Sequence, residues 1–222
     1  PNFLCLREQN DVFEAGRLMG DRPWEVHGIE TPHQVGGGDV TANLFSLLGI
    51  QPIQGRGFGP DDEKPGSPRV VVVSHAFWRD HLGADPNAVG RNLTLTAWKR
   101  NADWDVDMVS ETHTIVGVMP PGFSFPFGKR VQFWRAMIFA QDPAQPYDAP
   151  VIPLARLKKG ITPERARADL EILASRLWRT ETADGAPTTV DVHRFLDGLV
   201  HHHRRLPLLL FGSTNSPSSW LS

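Results

Sequence analysis

Apolar positions along the chain change period several times, and each change predicts an element. Val70 to Val73 is an unbroken β-branched run ending at Ser74, a good helix cap, and Phe77, Trp78 and Leu82 follow at helical spacing before Gly83. This predicts strand, cap, helix and stop. Arg91 to Trp98 alternates through Leu93 and Leu95, and His113 to Met119 alternates as its antiparallel partner, with a long polar hairpin tip between them. Val151 to Leu157 reads as a strand leading through Lys158, Lys159 and Gly160 into a helix capped by Thr162, with Pro163 at its first position. That helix carries an apolar stripe of Ala166, Leu170, Leu173, Ala174 and Leu177, with Arg165, Arg167, Glu171, Arg176 and Arg179 on its other side. Thr188 to Val192 alternates as a short strand.

Other segments give weaker patterns. Phe3, Leu6, Asn10 and Phe13 space as a short amphipathic helix, interrupted by Gly16 and Gly20, and a polar stretch containing Gly36, Gly37 and Gly38 follows. Thr41 to Leu48 predicts a helix of one or two turns, with Thr41 as N-cap and Gly49 as its stop. Gly55, Gly57 and Gly59 before Pro60 predict a turn. Phe123, Phe125 and Phe127 alternate among prolines, as an edge strand would.

Composition narrows the class. With 222 residues, 40% of them hydrophobic and 22% charged, the chain is an ordinary globular sequence, long enough to bury roughly 70% of the surface its unfolded form exposes. A formal charge of -2 leaves no basic field for phosphates, so nucleic acid is not an expected partner. Cys5 has no second cysteine for a disulfide. No basic segment followed by an apolar one opens the sequence, so no signal peptide is expected within these residues, and the apolar run Leu206 to Gly212 is far shorter than the roughly 20 residues a spanning helix needs.

The chain offers several pieces of chemistry, each with a plainer explanation. Gly122 to Arg130 approaches a phosphate loop, but Arg130 follows Lys129 where a hydroxyl is required, and Pro126 removes an amide. Ser74 and His75 are adjacent at a helix start, where their side chains diverge, so a cap is expected and not a nucleophile with its base. His201, His202 and His203 cannot all face one ion on regular backbone. His27 and His33 flank Glu30 without the helical spacing of a zinc site, and Asp61, Asp62 and Glu63 lack the order of a calcium loop. Trp24, Trp78, Trp98, Trp104 and Trp134 are expected to pack or to sit half-buried at an interface. No catalytic, cofactor-binding or metal-ligating residue is assigned.

A longer series of segments carries a family resemblance. Val40-Thr-Ala-Asn-Leu-Phe-Ser-Leu-Leu-Gly-Ile50 is followed by Gly55-Arg-Gly-Phe58, Val71-Val-Val-Ser-His-Ala-Phe-Trp78, and Asp85-Pro86 with Val89-Gly-Arg91. Ile115-Val-Gly-Val-Met-Pro-Pro-Gly-Phe123, Gln132-Phe-Trp134 and Ala155-Arg-Leu-Lys-Lys-Gly-Ile-Thr162 continue in the same order. In these segments the chain resembles the extracytoplasmic core domain of MacB-type ABC transporter permeases, in particular the large subgroup common in acidobacteria. The resemblance implies an α+β fold, a porter-like α/β sandwich subdomain interrupted by a second, β-rich subdomain. It places the porter-like part at 1–49 and 146–200, the β-rich insertion at 50–145 and a divergent or truncated tail at 201–222. It implies a non-catalytic domain between two transmembrane helices, on the periplasmic or extracytoplasmic side of a bacterial inner membrane. Its partners would be the membrane-embedded remainder of the permease, a separate ATPase subunit, a periplasmic adaptor, and a second copy in a homodimer.

Three departures qualify the resemblance. The hairpin tip from Ala97 to Thr112 is long, Ala136 stands where proline is common, and the end turns to Ser213-Thr-Asn-Ser-Pro217 where a second transmembrane helix is expected, as in a truncated or frameshifted product. The competing expectations are a free-standing ligand- or protein-binding module and, less well supported, a hydrolase or metal enzyme built on His27, His33 or the histidine triplet.

Overall fold

The structure is a computed structural model that describes residues 12–29, 32–100, 106–125, 131–138, 151–177, 190–194 and 208–213. The chain divides into two compact units, Arg17–Val151 and Pro1–Gly16 with Ile152–Ser222.

In the larger unit, six strands pair around a closed ring: β1 (Phe13–His27), β2 (His33–Val40), β4 (Val70–Val73), β5 (Asn92–Arg100), β6 (Val106–Val118) and β7 (Val131–Ala136). β1 runs antiparallel to β2, β2 parallel to β7, β7 antiparallel to β4, β4 parallel to β6, β6 antiparallel to β5, and β5 antiparallel to β1. Closing a sheet in this way removes the unpaired edges that would otherwise recruit other chains. A short strand, β3 (Gln54–Gly55), adds to β6 at Val118 and Gly117.

Alternation decides what fills the ring. Val26, Val35, Val71, Val73, Leu93, Leu95, Ile115 and Phe133 form one buried core cluster, each worth roughly 1.5–3 kcal/mol of hydrophobic stabilisation for the larger side chains. The helix α2 (His75–His81) contributes Phe77 to that cluster. It starts where expected, because the Ser74 hydroxyl accepts a hydrogen bond from the Phe77 amide at 3.0 Å, and Ser74 is therefore a cap.

On β7, Phe133 belongs to this core, so Trp134 must face the other way. It is nonetheless fully buried, covered by the helix α1 (Leu44–Leu48), whose Phe45 meets Trp134 edge-on at 5.8 Å and stacks on Phe58 at 5.5 Å. Gly49 closes α1 in the left-handed conformation, as expected, but the N-cap is Asn43. Thr41 contributes its backbone carbonyl to Leu44.

The smaller unit contains β8 (Val151–Leu157), β9 (Val190–Arg194), β10 (Leu208–Ser213) and the helix α3 (Pro163–Leu177). β10 lies between β8 and β9, antiparallel to both. Ala166 and Leu170 of α3 pack with Val12, Ala15 and Ala155, while Arg165, Arg167 and Glu171 are exposed, which is the two-faced helix the sequence predicts. Thr162 caps it through the Arg165 amide at 3.3 Å.

The mixed α+β class is as expected, and several local expectations are corrected. Phe13 begins a strand that runs through Gly16 and Gly20 to His27, and the polar stretch with three glycines is β2. The rest of the helix expected from Phe3 lies outside the described residues. The β5–β6 hairpin does not open at Ala97: pairing continues to Arg100 opposite Val106. Phe123 and Phe125 are not in a strand, and Phe127 lies outside the described residues.

Candidate functional site

The barrel interior is not apolar throughout. Asp39 and Arg135 face each other across the β2–β7 ladder, and the Arg135 Nε donates to Asp39 Oδ1 at 2.6 Å with both side chains 9% exposed. The same guanidinium donates to Glu111 Oε2 on β6 at 3.1 Å and lies 4.0 Å above the Trp24 ring. Arg69, just before β4, reaches Glu111 from the solvent side at 3.2 Å. Three strands thus converge on an arginine of a fourth, held by two carboxylates and an aromatic face.

His113 lies two residues from Glu111 on the same face of β6. Burial, with Arg135 next in effect, pushes its imidazole down to about 4, against the opposing pull of its hydrogen bond to the Glu111 carbonyl. The ring is therefore neutral in the folded protein at neutral pH. An unfolded chain, with an ordinary value near 6.5, takes up the proton first, so stability present above 6.5 is lost as pH falls toward 4. Up to about 3 kcal/mol is involved at 1.36 kcal/mol per pH unit. Urea unfolding at pH 7.5, 5.5 and 4.5 should show His113→Asn losing less stability on acidification than the parent. Parallel losses in the two proteins would mean that His113 titrates normally.

A second constellation gathers the resemblance segments on the outside of the barrel. Arg56 forms a two-pronged bond with Asp62, at 2.6 and 3.0 Å, and Gly59 N–H donates to the same carboxylate at 2.7 Å. Burial opposes ionisation of Asp62, but these bonds outweigh it and hold the carboxyl below its usual range. An added Cβ on Gly55 would collide with the Val116 carbonyl, so this loop lies directly on β6. Phe58 and Phe123 remain half-exposed over Phe45 and Trp134. The acidic run is therefore a structural turn.

The β5–β6 hairpin presents a third feature. On one face Thr94 pairs with Thr112 and Thr96 with Ser110, the latter hydroxyls 2.7 Å apart. The next pair on that face is Trp98 opposite Met108, 66% and 62% exposed, an apolar pair in solvent.

Sequence-selected residues scatter. His27 lies 3.4 Å from Glu25, while His33, opposite Val26 in the β1–β2 pairing, lies tilted against His81; Glu30 lies outside the described residues. Residues 201–203 and 126–130 also lie outside them. Trp24 and Trp134 are buried, Trp78 donates to the Asp85 carbonyl at 2.8 Å, and Trp104 lies outside the described residues. Among the described residues, no three His, Cys, Asp or Glu side chains gather around a common point for an ion. Asp39, Glu111 and Arg135 were not among the residues the sequence singled out. The one signal for them in the sequence is the position of Glu111 and His113 in the alternating series that Ile115 continues on the buried face.

The family of MacB-like periplasmic core domains matches residues 6–173, about three quarters of the sequence. The chain belongs to this family. Its fold resembles that of the periplasmic region of MacB from Actinobacillus actinomycetemcomitans, with a TM-score of 0.50 and 13% identity over 79% of this chain and 72% of that one. The extracellular domain of the noncanonic ABC-type transporter YknZ from Gram-positive bacteria gives a TM-score of 0.51 at 9% identity, covering 80% and 81%. A domain of a putative permease from Porphyromonas gingivalis matches at 17% identity and a TM-score of 0.49, covering 78% and 67%. No curated protein matches the chain. As a MacB-like periplasmic core domain, it is part of the ABC transporter permease family. Among the described residues no helix is long and apolar enough to cross a membrane.

Proposed function

We propose that this domain, in an intact permease, lies on the periplasmic or extracytoplasmic side of the inner membrane and transmits ATP-driven conformational change to substrate export or to a partner protein, without catalysis. The membrane-embedded remainder and a separate ATPase subunit would drive it, a second copy would pair with it, and a periplasmic adaptor would receive the motion. The observation that carries this reading is the match of residues 6–173 to a family of periplasmic permease domains. We assign the porter-like role to the segments flanking the β-rich insertion, and the transmitting role to α3, because a capped helix seated through Ala166 and Leu170 moves as one body with its support.

Leu170→Ala tests the transmitting role, since it loosens α3 from Val12, Ala15 and Ala155. In the full permease with its ATPase, substrate-stimulated ATP hydrolysis should fall several-fold while basal hydrolysis stays unchanged. Unchanged stimulation would remove α3 from the mechanism.

The alternative, a free-standing extracytoplasmic ligand- or protein-binding module, draws support from the exposed Trp98 and Met108 pair. A partner seated there would raise the melting temperature of the isolated chain.

A further inference from the structure

His33 opens β2 and His81 closes α2, and their ring centroids lie 5.0 Å apart with planes inclined at 46°. The fully buried Phe77 lies against the His81 ring, with centroids 5.0 Å apart. No hydrogen bond or ion pair among the described residues satisfies either imidazole. Asp80, beside His81 in sequence, is occupied by a two-pronged bond to Arg79 at 2.6 and 2.9 Å. His33 is exposed and His81 half-exposed, so an ion can reach both from solvent.

The spacing fits a shared ion. With metal–nitrogen bonds of about 2.0–2.1 Å, two imidazoles in tetrahedral arrangement place their ring centroids roughly 5 Å apart. Imidazole favours borderline divalent ions such as zinc, nickel and copper over calcium or magnesium. We propose that His33 and His81 form a solvent-open, two-imidazole site for a borderline transition-metal ion, its remaining positions filled by water or by a ligand from outside this chain. Two ligands give modest affinity and easy exchange, as suits a site completed by another molecule. The site is independent of the permease reading, since it rests only on the two rings and their surroundings.

The test is a zinc titration of the full chain by calorimetry, in a background carrying His201→Asn, His202→Asn and His203→Asn so that the triplet does not compete. One zinc ion per chain should bind in the micromolar range, and His33→Gln or His81→Gln should each weaken binding at least tenfold. His27→Gln should leave it unchanged. The melting temperature should rise with zinc in the background protein and not in either glutamine variant, which also establishes that those variants fold. Ring stacking without a metal role would give no zinc-dependent rise in the background protein, or equal binding in all variants, and either result overturns the proposal.

Discussion

Replacing Arg135 with methionine is expected to destabilise the barrel by about 4 kcal/mol, the cost of leaving buried charge without its partner. Methionine keeps much of the volume, so packing changes little, but Asp39 and Glu111 then lose the guanidinium that both accept from. Arg69 still pairs with Glu111, but from a position 44% exposed, where solvent weakens the pair. Both carboxyls should then resist ionisation, so the folded variant binds protons more readily than its unfolded chain. Its deficit relative to the parent should therefore shrink as pH falls from 7 to 5. Tryptophan fluorescence in urea measures this directly. A further change of Asp39 and Glu111 to leucine should recover most of the loss, because an apolar plug is often as stable as a buried ionic one. A deficit under 1 kcal/mol, constant with pH, would show that the cluster is hydrated and does not hold the barrel closed.

The same cluster marks where the sequence becomes hard to read. α3 was legible because everything that makes it is local: Thr162 caps it, Pro163 starts it and Ala166, Leu170 and Leu173 repeat at helical spacing. β4 and the Ser74 cap were legible for the same reason. The arginine cluster joins residues 96 and 24 positions apart, and no periodicity in one segment announces a partner in another. The hairpin was half legible. Its apolar alternation through Leu93 and Leu95 identifies the strand, but beyond Ala97 the side chains are polar or solvent-exposed, so pairing continues there without a hydrophobic signal. The resemblance segments proved to be fold determinants in the places the structure describes. Phe45, Phe58, Phe123 and Trp134 cover one face of the sheet, and Arg56 with Asp62 fixes the loop above it.

β2 was illegible because Gly36, Gly37 and Gly38 leave its middle without apolar alternation, and the second large expected effect comes from adding a side chain at one of them. A methyl group on Gly37 would lie closer than 3.0 Å to three atoms of the Phe133 ring. Gly37 and Phe133 are register partners in the β2–β7 ladder, so the ring lies directly over the glycine. Trp24 holds it edge-on at 6.0 Å, and Phe133 is fully buried, so the ring has nowhere to turn. Gly37→Ala is accordingly expected to destabilise the barrel by about 3 kcal/mol or more, at the upper end for overpacking by one methyl. The sign is informative, since alanine in an ordinary strand position would be mildly stabilising relative to glycine. Phe133→Leu removes the obstructing ring atoms and should itself be destabilising through lost volume, yet Gly37→Ala in that background should cost far less than it does alone. Equal effects of Gly37→Ala in both backgrounds would mean that the glycine is required by the β2 backbone and not by the ring. A strand that reads as a polar, glycine-rich loop would then have a different physical origin from the one the packing implies.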